Sequence, residues 1–264
     1  MATGTDDVLA AMRRSHDRLS ARVRLLDEED LRRPSGAAQW TVARVLSHLG
    51  SGSQIAQANL QVALGGADDR GPDFNQGIWA RWDAMTPEDQ AAGFVRASRD
   101  LVEGYEALTP QERADIRFRL GFFAEPVDLA TSAGLRLVEL ALHSWDIDVA
   151  FDSAATIPAD LAGIAVDRIG TILGRIGKPE AVAGRSVRLR LDTVAPQTSR
   201  GLVIDGTVRF DTVPDEPDGV VAMPAEALLR LLGGRLSAGP HTPAGVTIGG
   251  PITLDELRGV FGGY

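Results

Sequence analysis

Four polar residues on one predicted helix have the types and spacing of a metal or acid–base site. They are Arg136, Glu139, His143 and Asp146. Successive helical residues turn by about 100°, so these four share an arc roughly 80° wide. Glu139 and His143 are four residues apart, and the tips of their side chains can therefore meet. The neighbouring positions are mostly apolar, and a carboxylate and an imidazole buried among them would need a partner.

His48 offers a third ligand from another predicted helix. It lies at the border of the apolar stripe of that helix, and Gly52, one turn further on, would leave open space above the imidazole. Asn59 lies on the same side of the helix. Two histidines and a glutamate from two helices form a set that leaves coordination positions for water or substrate, as catalytic zinc sites do. Such a set accepts Zn²⁺, Ni²⁺ or Fe²⁺.

Each of these residues also has a simpler structural explanation. Glu139 and His143 could form a solvated helix pair, with Arg136 adding an ion pair, and the spacing alone favours this explanation. A single histidine such as His48 is more often satisfied at the edge of a core than bound to a metal. Asp146 could orient a histidine or simply face solvent. A metal site and a solvated helix face therefore both remain open from the residue types alone.

The other histidines and the tryptophans are assigned to the surface, the core and a lid. His16 lies on the polar face of the first predicted helix and His241 in a proline-flanked loop, so both are predicted to be surface residues. The tryptophans are expected to pack in the core or in a lid rather than to form a stacking platform; they are Trp40, Trp79, Trp82 and Trp145. The sequence contains no H-E-x-x-H, G-x-S-x-G or Walker A motif.

The absence of cysteine and the acidic net charge restrict the possible chemistry. Because its 264 residues include no cysteine, the chain has no disulfide, no thiol nucleophile and no cysteine-ligated metal, so any sulfur must come from a ligand. Lys178 is the only lysine, which argues against Schiff-base chemistry. The net charge of -9 argues against nucleic acid as a partner, since phosphate binding needs a basic surface.

Neither a signal peptide nor a membrane span is predicted. The first residues, Met1–Arg14, are polar and charged, and no uncharged apolar run reaches the length of about 18 residues that a membrane helix requires. We therefore expect a cytoplasmic protein without a membrane partner, either a monomer or a homodimer.

Apolar residues at helical spacing predict long helices over the first two thirds of the chain. Residues 67–85 are predicted to be loop-like, with Phe74, Trp79 and Trp82 suggesting a lid. Because the first four long helices are joined by modest connections, they imply a four-helix bundle. The predicted helices run from Asp6 to about Leu26, from Thr41 to Gly65, from Thr86 past Leu108, from Pro126 to about Phe151, and onward from Pro158.

The pattern changes to short strands after Gly177. Val187–Leu191 alternates between apolar and charged residues, which indicates a half-buried strand. Residues 201–210 predict a hairpin that turns at Asp205-Gly206. Short strands at 220–223 and 246–248, and helices beginning at Pro224 and Thr253, complete the pattern. We therefore predict an α+β protein with a bundle domain over residues 1–180 and a small α+β domain over residues 181–264.

Two segments carry a resemblance to a known family. Trp40-Thr-Val-Ala-Arg-Val-Leu-Ser-His48-Leu resembles the W-[ST]-V-x-x-[VL]-[LV]-x-H-L segment of the DinB-like metal-dependent superfamily, and Glu139-x-x-x-His143-x-x-Asp146 resembles its second metal segment. The chain looks most like the mycothiol-dependent maleylpyruvate isomerase branch, which adds a small C-terminal domain resembling a sterol-carrier fold. The resemblance covers nearly the whole chain.

The resemblance implies a set of site residues. The positions that match the metal ligands of the family are His48, Glu139 and His143, with zinc expected and nickel or iron as alternatives. Leu232-Gly-Gly-Arg235 resembles a segment of the family's C-terminal domain, which makes Arg235 the candidate catalytic arginine. We assign Asn59 and Asp146 to cofactor binding, with mycothiol or a similar small thiol as the expected cofactor.

The implied chemistry leaves three classes of function open. A metal that favours a bound thiolate would let the thiol add to an electron-poor double bond, so that rotation and elimination give the trans isomer and return the thiol. Arg235 could hold a substrate carboxylate or stabilise the enolate. The second class is a thiol S-transferase in detoxification or secondary metabolism. The third is a module without catalytic activity that binds a metal or another ligand.

Overall fold

Two compact units make up the chain: the bundle unit, Met1–Asp152, and the sheet unit, Ser153–Tyr264. The structure is a computed structural model. No helix among the described residues is long and apolar enough to cross a membrane. The described residues are 4–66, 71, 73–121, 123–237 and 241–263.

Within its described residues, the bundle unit is built from helices and one very short strand pair. Its helices are α1 (Thr5–Val23), α2 (Glu28–Arg32), α3 (Val42–Ala63), α4 (Phe74–Asp83), α5 (Pro87–Glu106), α6 (Pro110–Asp115) and α7 (Leu129–Asp148). The strands β1 (Arg117–Phe118) and β2 (Val127–Asp128) pair antiparallel just before α7.

The four long helices form a closed bundle, in which α1 and α3 each contact both α5 and α7. Side-chain caps determine where three of them begin. Thr41, Thr86 and Asp128 each accept a hydrogen bond from the backbone N–H three residues further on, which stabilises the first turn. The core between the helices is apolar and includes Leu19, Val42, Val45, Leu46, Leu49, Phe94, Leu140 and Ile147. The predicted four-helix bundle is therefore present.

Part of the predicted loop at 67–85 is helical. Phe74–Asp83 forms α4, whereas residues 67–70 and 72 lie outside the described part of the chain. Ile78 and Trp82, four residues apart, share the buried face of this helix, while Trp79 is 46% exposed. The indole Nε1 of Trp82 donates a hydrogen bond to Gln54 Oε1 at 2.9 Å. This face packs against α3. The packing stabilises a helix in a segment whose sequence predicts a loop.

The sheet unit contains one five-stranded sheet with helices packed against it. The elements are α8 (Ala159–Gly170), α9 (Leu173–Ile176), β3 (Val187–Val194), β4 (Thr198–Ile204), β5 (Val208–Asp211), β6 (Gly219–Pro224), α10 (Ala225–Leu232), β7 (Thr247–Gly249) and α11 (Leu254–Val260). The strand order is β5-β4-β3-β6-β7; β3 and β6 are parallel, and the other neighbours are antiparallel. The hairpin between β4 and β5 turns at Asp205-Gly206, as predicted, with Gly206 at φ +89°.

Helix α10 packs against α8, β3 and β6, and all of its residues are buried. Its only charged residues, Glu226 and Arg230, neutralise each other. Arg230 Nε and Nη2 donate hydrogen bonds to the two carboxylate oxygens of Glu226 at 2.7 and 2.9 Å, and Nη1 donates to the His241 carbonyl oxygen at 2.7 Å. The pair therefore joins the helix to the segment that follows it.

The boundary between the compact units lies earlier than the division predicted from the sequence. The bundle unit ends at Asp152, because α8 packs against α10 and so joins the sheet unit. Apolar α8 residues such as Leu161, Ala165 and Ile169 are buried. The sequence pattern groups α8 with the preceding helices because it shows periodicity but not the packing partner. Domains at 1–180 and 181–264 stay a prediction.

Candidate metal centre

Two helices bring the candidate ligands together. His48 lies in the second turn of α3, whose start is fixed by the Thr41 cap, and Glu139 and His143 lie in the second half of α7. Because α3 and α7 are neighbours in the bundle, the three side chains face one another across the helix pair. The simpler structural explanation, a solvated pair on the surface of one helix, does not describe this arrangement.

The three candidate ligands meet at the carboxylate of Glu139. His48 Nε2 lies 2.9 Å from Glu139 Oε2, and His143 Nε2 lies 3.6 Å from the same oxygen. The two imidazole centroids are 4.7 Å apart. One ligand atom from each residue lies within 4.8 Å of the other two. The side chains of His48 and Glu139 are partly exposed, whereas His143 is buried, so the cluster is open to solvent on one side.

Asp146 determines the orientation of the His143 ring. Its Oδ2 lies 2.7 Å from His143 Nδ1, and Asp146 is fully buried. A carboxylate accepts a hydrogen bond from the N–H at this position, which leaves the Nε2 lone pair for a ligand. The backbone N–H of Gly36 donates to the Asp146 carbonyl oxygen at 2.7 Å, and a Cβ at Gly36 would lie 3.2 Å from Asp146 Oδ1. Glycine at position 36 therefore lets this connection approach the carboxylate closely.

Trp40 packs against both histidines, a role that the sequence analysis missed. Its ring stacks on His143 with centroids 5.9 Å apart and an interplanar angle of 16°, and lies 5.3 Å from the ring of His48. The N–H of Ser35 donates to the Trp40 carbonyl oxygen at 2.9 Å, which holds the turn that precedes α3. In the sequence, Trp40 stands immediately before the residue that caps α3, and this position was a signal that it lies near the start of the helix. Its contact with His143 on α7 depends on tertiary packing, which the sequence does not show.

Opposing effects determine the protonation of the cluster. Burial raises the pKa of the Glu139 carboxyl, but the hydrogen bonds from His143 and His48 outweigh it and hold that pKa well below its usual range. Burial lowers the pKa of His48 more than the Glu139 hydrogen bond raises it, so the net shift is downward. Burial also opposes protonation of His143, but hydrogen bonds to Asp146 and Glu139 raise its pKa overall. The carboxylate is therefore ionised and available as a ligand.

This donor set fits a divalent metal. Two imidazole nitrogens and one carboxylate oxygen are ligands that Zn²⁺, Ni²⁺ and Fe²⁺ accept. The hydrogen bond to Asp146 is the outer partner that metal-bound histidines ordinarily have. A bound cation would be coordinated by ligand atoms that already lie within 4.8 Å of one another. It would also be stabilised by the negative charge of Glu139, whose carboxyl pKa is kept low by its neighbours.

The structure places three other predicted site residues differently with respect to this cluster. Asp146 touches His143, so its observed contact is with a candidate ligand. Asn59 is half-buried on α3, eleven residues after His48, which is about 16 Å along the helix axis. Arg235 follows α10 in the sheet unit, and its Nη1 donates to the Gly233 carbonyl oxygen at 2.7 Å. Binding by Asn59 and catalysis by Arg235 stay predictions.

The prediction that His16 is a surface residue is wrong. His16 is only 4% exposed, and its Nδ1 lies 2.9 Å from Ser98 Oγ on α5. Because His16 lies on the polar side of α1, its position predicts a side chain that faces solvent. However, α1 contacts two helices at once, α5 and α7, so a broader arc of its surface is buried than the apolar stripe indicates.

Comparisons with known proteins agree with this architecture. Residues 12–148 match the family described as the mycothiol maleylpyruvate isomerase N-terminal domain. Two solved structures are similar to the chain: a mycothiol-dependent maleylpyruvate isomerase, at 17% identity, and a histidine-to-alanine mutant of a mycothiol-dependent maleylpyruvate isomerase, at 15%. Each comparison covers 93% of both chains with a TM-score of 0.64, which confirms the α+β fold. No curated protein matches the sequence.

Proposed function

Because the chain belongs to the family of the mycothiol maleylpyruvate isomerase N-terminal domain, we propose that it is an enzyme of the maleylpyruvate isomerase type. Its proposed cofactors are a divalent metal, with zinc the first candidate, and mycothiol or a similar small thiol. His48, Glu139 and His143 would hold the metal. The observation that carries this proposal is that their three ligand atoms lie within 4.8 Å of one another.

A divalent metal at this site would supply Lewis-acid chemistry, lowering the pKa of a thiol so that it reacts as the thiolate. The residues of the chain prepare the site for that role. The pKa of Glu139 is held low by the two imidazoles, whose Nε2 atoms lie 2.9 and 3.6 Å from its Oε2. Asp146 keeps the Nε2 lone pair of His143 directed at the cluster. A site with three protein ligands leaves room for thiol and substrate.

Trp40 and the buried part of the bundle would shape the space beside the ligands. The indole covers one side of both imidazole rings, and this contact holds the rings in place and keeps water away from that side. Asn59 is the proposed contact for the thiol. Arg235 is the proposed cation that stabilises the enolate or holds a substrate carboxylate, since a guanidinium is suited to either role.

Elemental analysis of the purified protein tests the metal centre. We expect about one metal per chain in the wild type and loss of that metal in His48→Ala and His143→Ala. His241→Ala, which removes a histidine in the sheet unit, is the matched control and should keep the metal. If the wild type neither contains metal nor takes up Zn²⁺, Ni²⁺ or Fe²⁺, the proposed function is wrong.

An assay of thiol consumption separates the three classes of activity. An isomerase returns the thiol after each turnover, so the free thiol concentration stays constant while the cis substrate disappears. An S-transferase consumes one thiol per product formed. A binding module without catalytic activity would show neither reaction and no affinity for the thiol. We expect isomerisation of maleylpyruvate-like substrates at constant thiol, with the activity lost in the metal-ligand variants.

A further inference from the structure

A partly buried cation lies one helical turn before the candidate ligand Glu139. Arg136 is on α7 and faces α3, where its Nη2 donates to the Leu49 carbonyl oxygen at 3.3 Å. Its Nε is buried and has no acceptor within the described part of the chain. A guanidinium carries five N–H donors, so this long hydrogen bond uses little of its capacity. Burying a charge without full pairing is costly, which calls for an explanation of Arg136.

Helix α3 makes room for this guanidinium. A Cβ at Gly52 would lie 2.6 Å from Arg136 Nη1 and 3.1 Å from its Cζ and Nη2. Any side chain at position 52 would therefore displace the group. Glycine in a helix interior lowers helix stability relative to alanine, and Gly52 lies only one turn after His48. Gly52 therefore lowers the stability of α3 but leaves the space that the Arg136 guanidinium occupies beside the candidate metal centre.

Arg136 is poorly placed for a purely structural role once the site is loaded. Glu139 and Asp146 supply two negative charges, and a divalent cation balances them. Even without a metal, Glu139 is paired with its two histidines rather than with Arg136 alone. The guanidinium then adds a positive charge about one helical turn from Glu139, where like charges repel strongly because little water screens them. An anion bound beside Arg136 and the metal would relieve this repulsion.

We propose that Arg136 binds the carboxylate of a ligand held at the metal centre, a proposal that rests on the proposed metal-dependent function. A guanidinium presents parallel N–H donors that match the two oxygens of a carboxylate. Arg136, Glu139 and His48 are all partly exposed, so a ligand entering from solvent reaches them together. Arg136 would thus select anionic substrates from inside the bundle unit.

Calorimetric titration of maleate into the Co²⁺-loaded protein tests this proposal. Arg136→Gln removes the charge, and we expect the dissociation constant of maleate to rise about 10- to 100-fold. The neutral diamide of maleate, used as the second probe, should bind the wild type and this variant equally weakly. Arg13→Gln, which removes the same charge from an arginine paired with Glu106 on another helix, is the control and should change maleate binding less than about twofold.

The visible absorption of Co²⁺ reports metal occupancy separately from maleate binding. Equal maleate affinity in the wild type and Arg136→Gln, at full Co²⁺ occupancy, would overturn the role of Arg136. If the wild type binds no Co²⁺, the proposed metal centre is wrong, and titration of the metal-free proteins then decides the role of Arg136 by the same comparison.

A second variant keeps the test independent of folding defects in Arg136→Gln. Gly52→Ala retains the charge but pushes the guanidinium away from α3. It should weaken maleate binding and leave binding of the neutral diamide unchanged. Gly52→Ala protein that folds, loads Co²⁺ and binds maleate as tightly as the wild type would contradict the proposal.

Discussion

At the scale of single residues, the candidate centre depends on partners as much as on ligands. The two imidazoles beside Glu139 keep its carboxyl pKa low, and His143 has a defined orientation because Asp146 accepts a hydrogen bond from its Nδ1. Trp40 covers both rings. A variant that leaves all three ligands in place can therefore still weaken the site.

Asp146→Asn tests this dependence. The amide has nearly the same shape but no charge, so it holds the His143 ring less firmly and makes the ring a weaker ligand. We expect the affinity for Zn²⁺ to fall about 10- to 100-fold, as found when such outer partners are replaced. Competition with a chromogenic chelator measures the effect. Asp148→Asn, on the same helix, is the control; an equal loss in both variants would point to the helix as a whole.

The residue spacing placed Glu139 and His143 on one helix face but favoured a solvated pair, and the resemblance to the family was needed to predict them as metal ligands together with His48. Three- and four-residue steps on a helix place Glu139, His143 and Asp146 on one arc without knowledge of the fold. Trp40 was assigned to the core or a lid because its contact with His143 joins two helices that are distant in sequence. Periodicity shows which residues share a face, and only tertiary packing shows what that face meets.

At the scale of elements, close contacts at small residues position the helices around the site. The ring of Trp82 on α4 lies directly against Gly50 on α3, in the turn after His48. The sequence predicts that Trp82 packs in the core or a lid but does not predict the helix that carries it. The tight fit explains why Gly50 is a glycine although it lies inside a helix.

Alanine at this contact should be destabilising, in contrast to alanine at an open position. In Gly50→Ala the new methyl group overlaps the indole of Trp82, and we expect a loss of about 1–3 kcal/mol in the free energy of unfolding. Gly77→Ala, in α4, meets nothing within 4 Å and should gain about 0.5–1 kcal/mol from helix propensity. Urea unfolding of both variants measures the difference; equal effects would show that the contact with Trp82 does not matter.

The buried histidine between α1 and α5 should make stability depend on pH. Burial lowers the pKa of His16 below its ordinary value of 6.5. The unfolded chain therefore takes up a proton more readily than the folded one, and the contribution of this residue is present above about pH 6.5 and lost as the pH falls below it. Urea unfolding between pH 7.5 and about 5 should show a steeper decline for the wild type than for His16→Gln. Parallel curves would exclude His16 as the cause.

At the scale of the whole molecule, the chain combines a unit that carries the candidate metal ligands with a unit that carries Arg235. The α+β class followed from a change of periodicity after Gly177, which was visible in the sequence. The boundary between compact units did not follow, because α8 has the pattern of a bundle helix but packs against α10. The hydrophobic pattern of a segment predicts whether it is a helix or a strand. The compact unit to which a helix belongs depends on the element against which it packs.

A variant in the sheet unit should separate stability from metal binding. Glu226→Gln removes the carboxylate charge from the buried ion pair with Arg230, which costs about 3–5 kcal/mol. Because the metal ligands lie in the bundle unit, we expect folded Glu226→Gln protein to retain the metal content of the wild type while its Tm falls. Elemental analysis and thermal unfolding measure the two effects. Loss of metal at a temperature where the variant is fully folded would contradict this separation.

The hydrogen bond from Gly36 to Asp146 offers a way to follow the centre in solution. The Gly36 amide donates to the same residue whose carboxylate orients His143. Metal binding that immobilises His143 should also steady Asp146 and thereby slow the replacement of the Gly36 amide proton by deuterium. The mass of the peptide that joins α2 to α3 would then report occupancy, even for Zn²⁺, which has no colour and no unpaired electron.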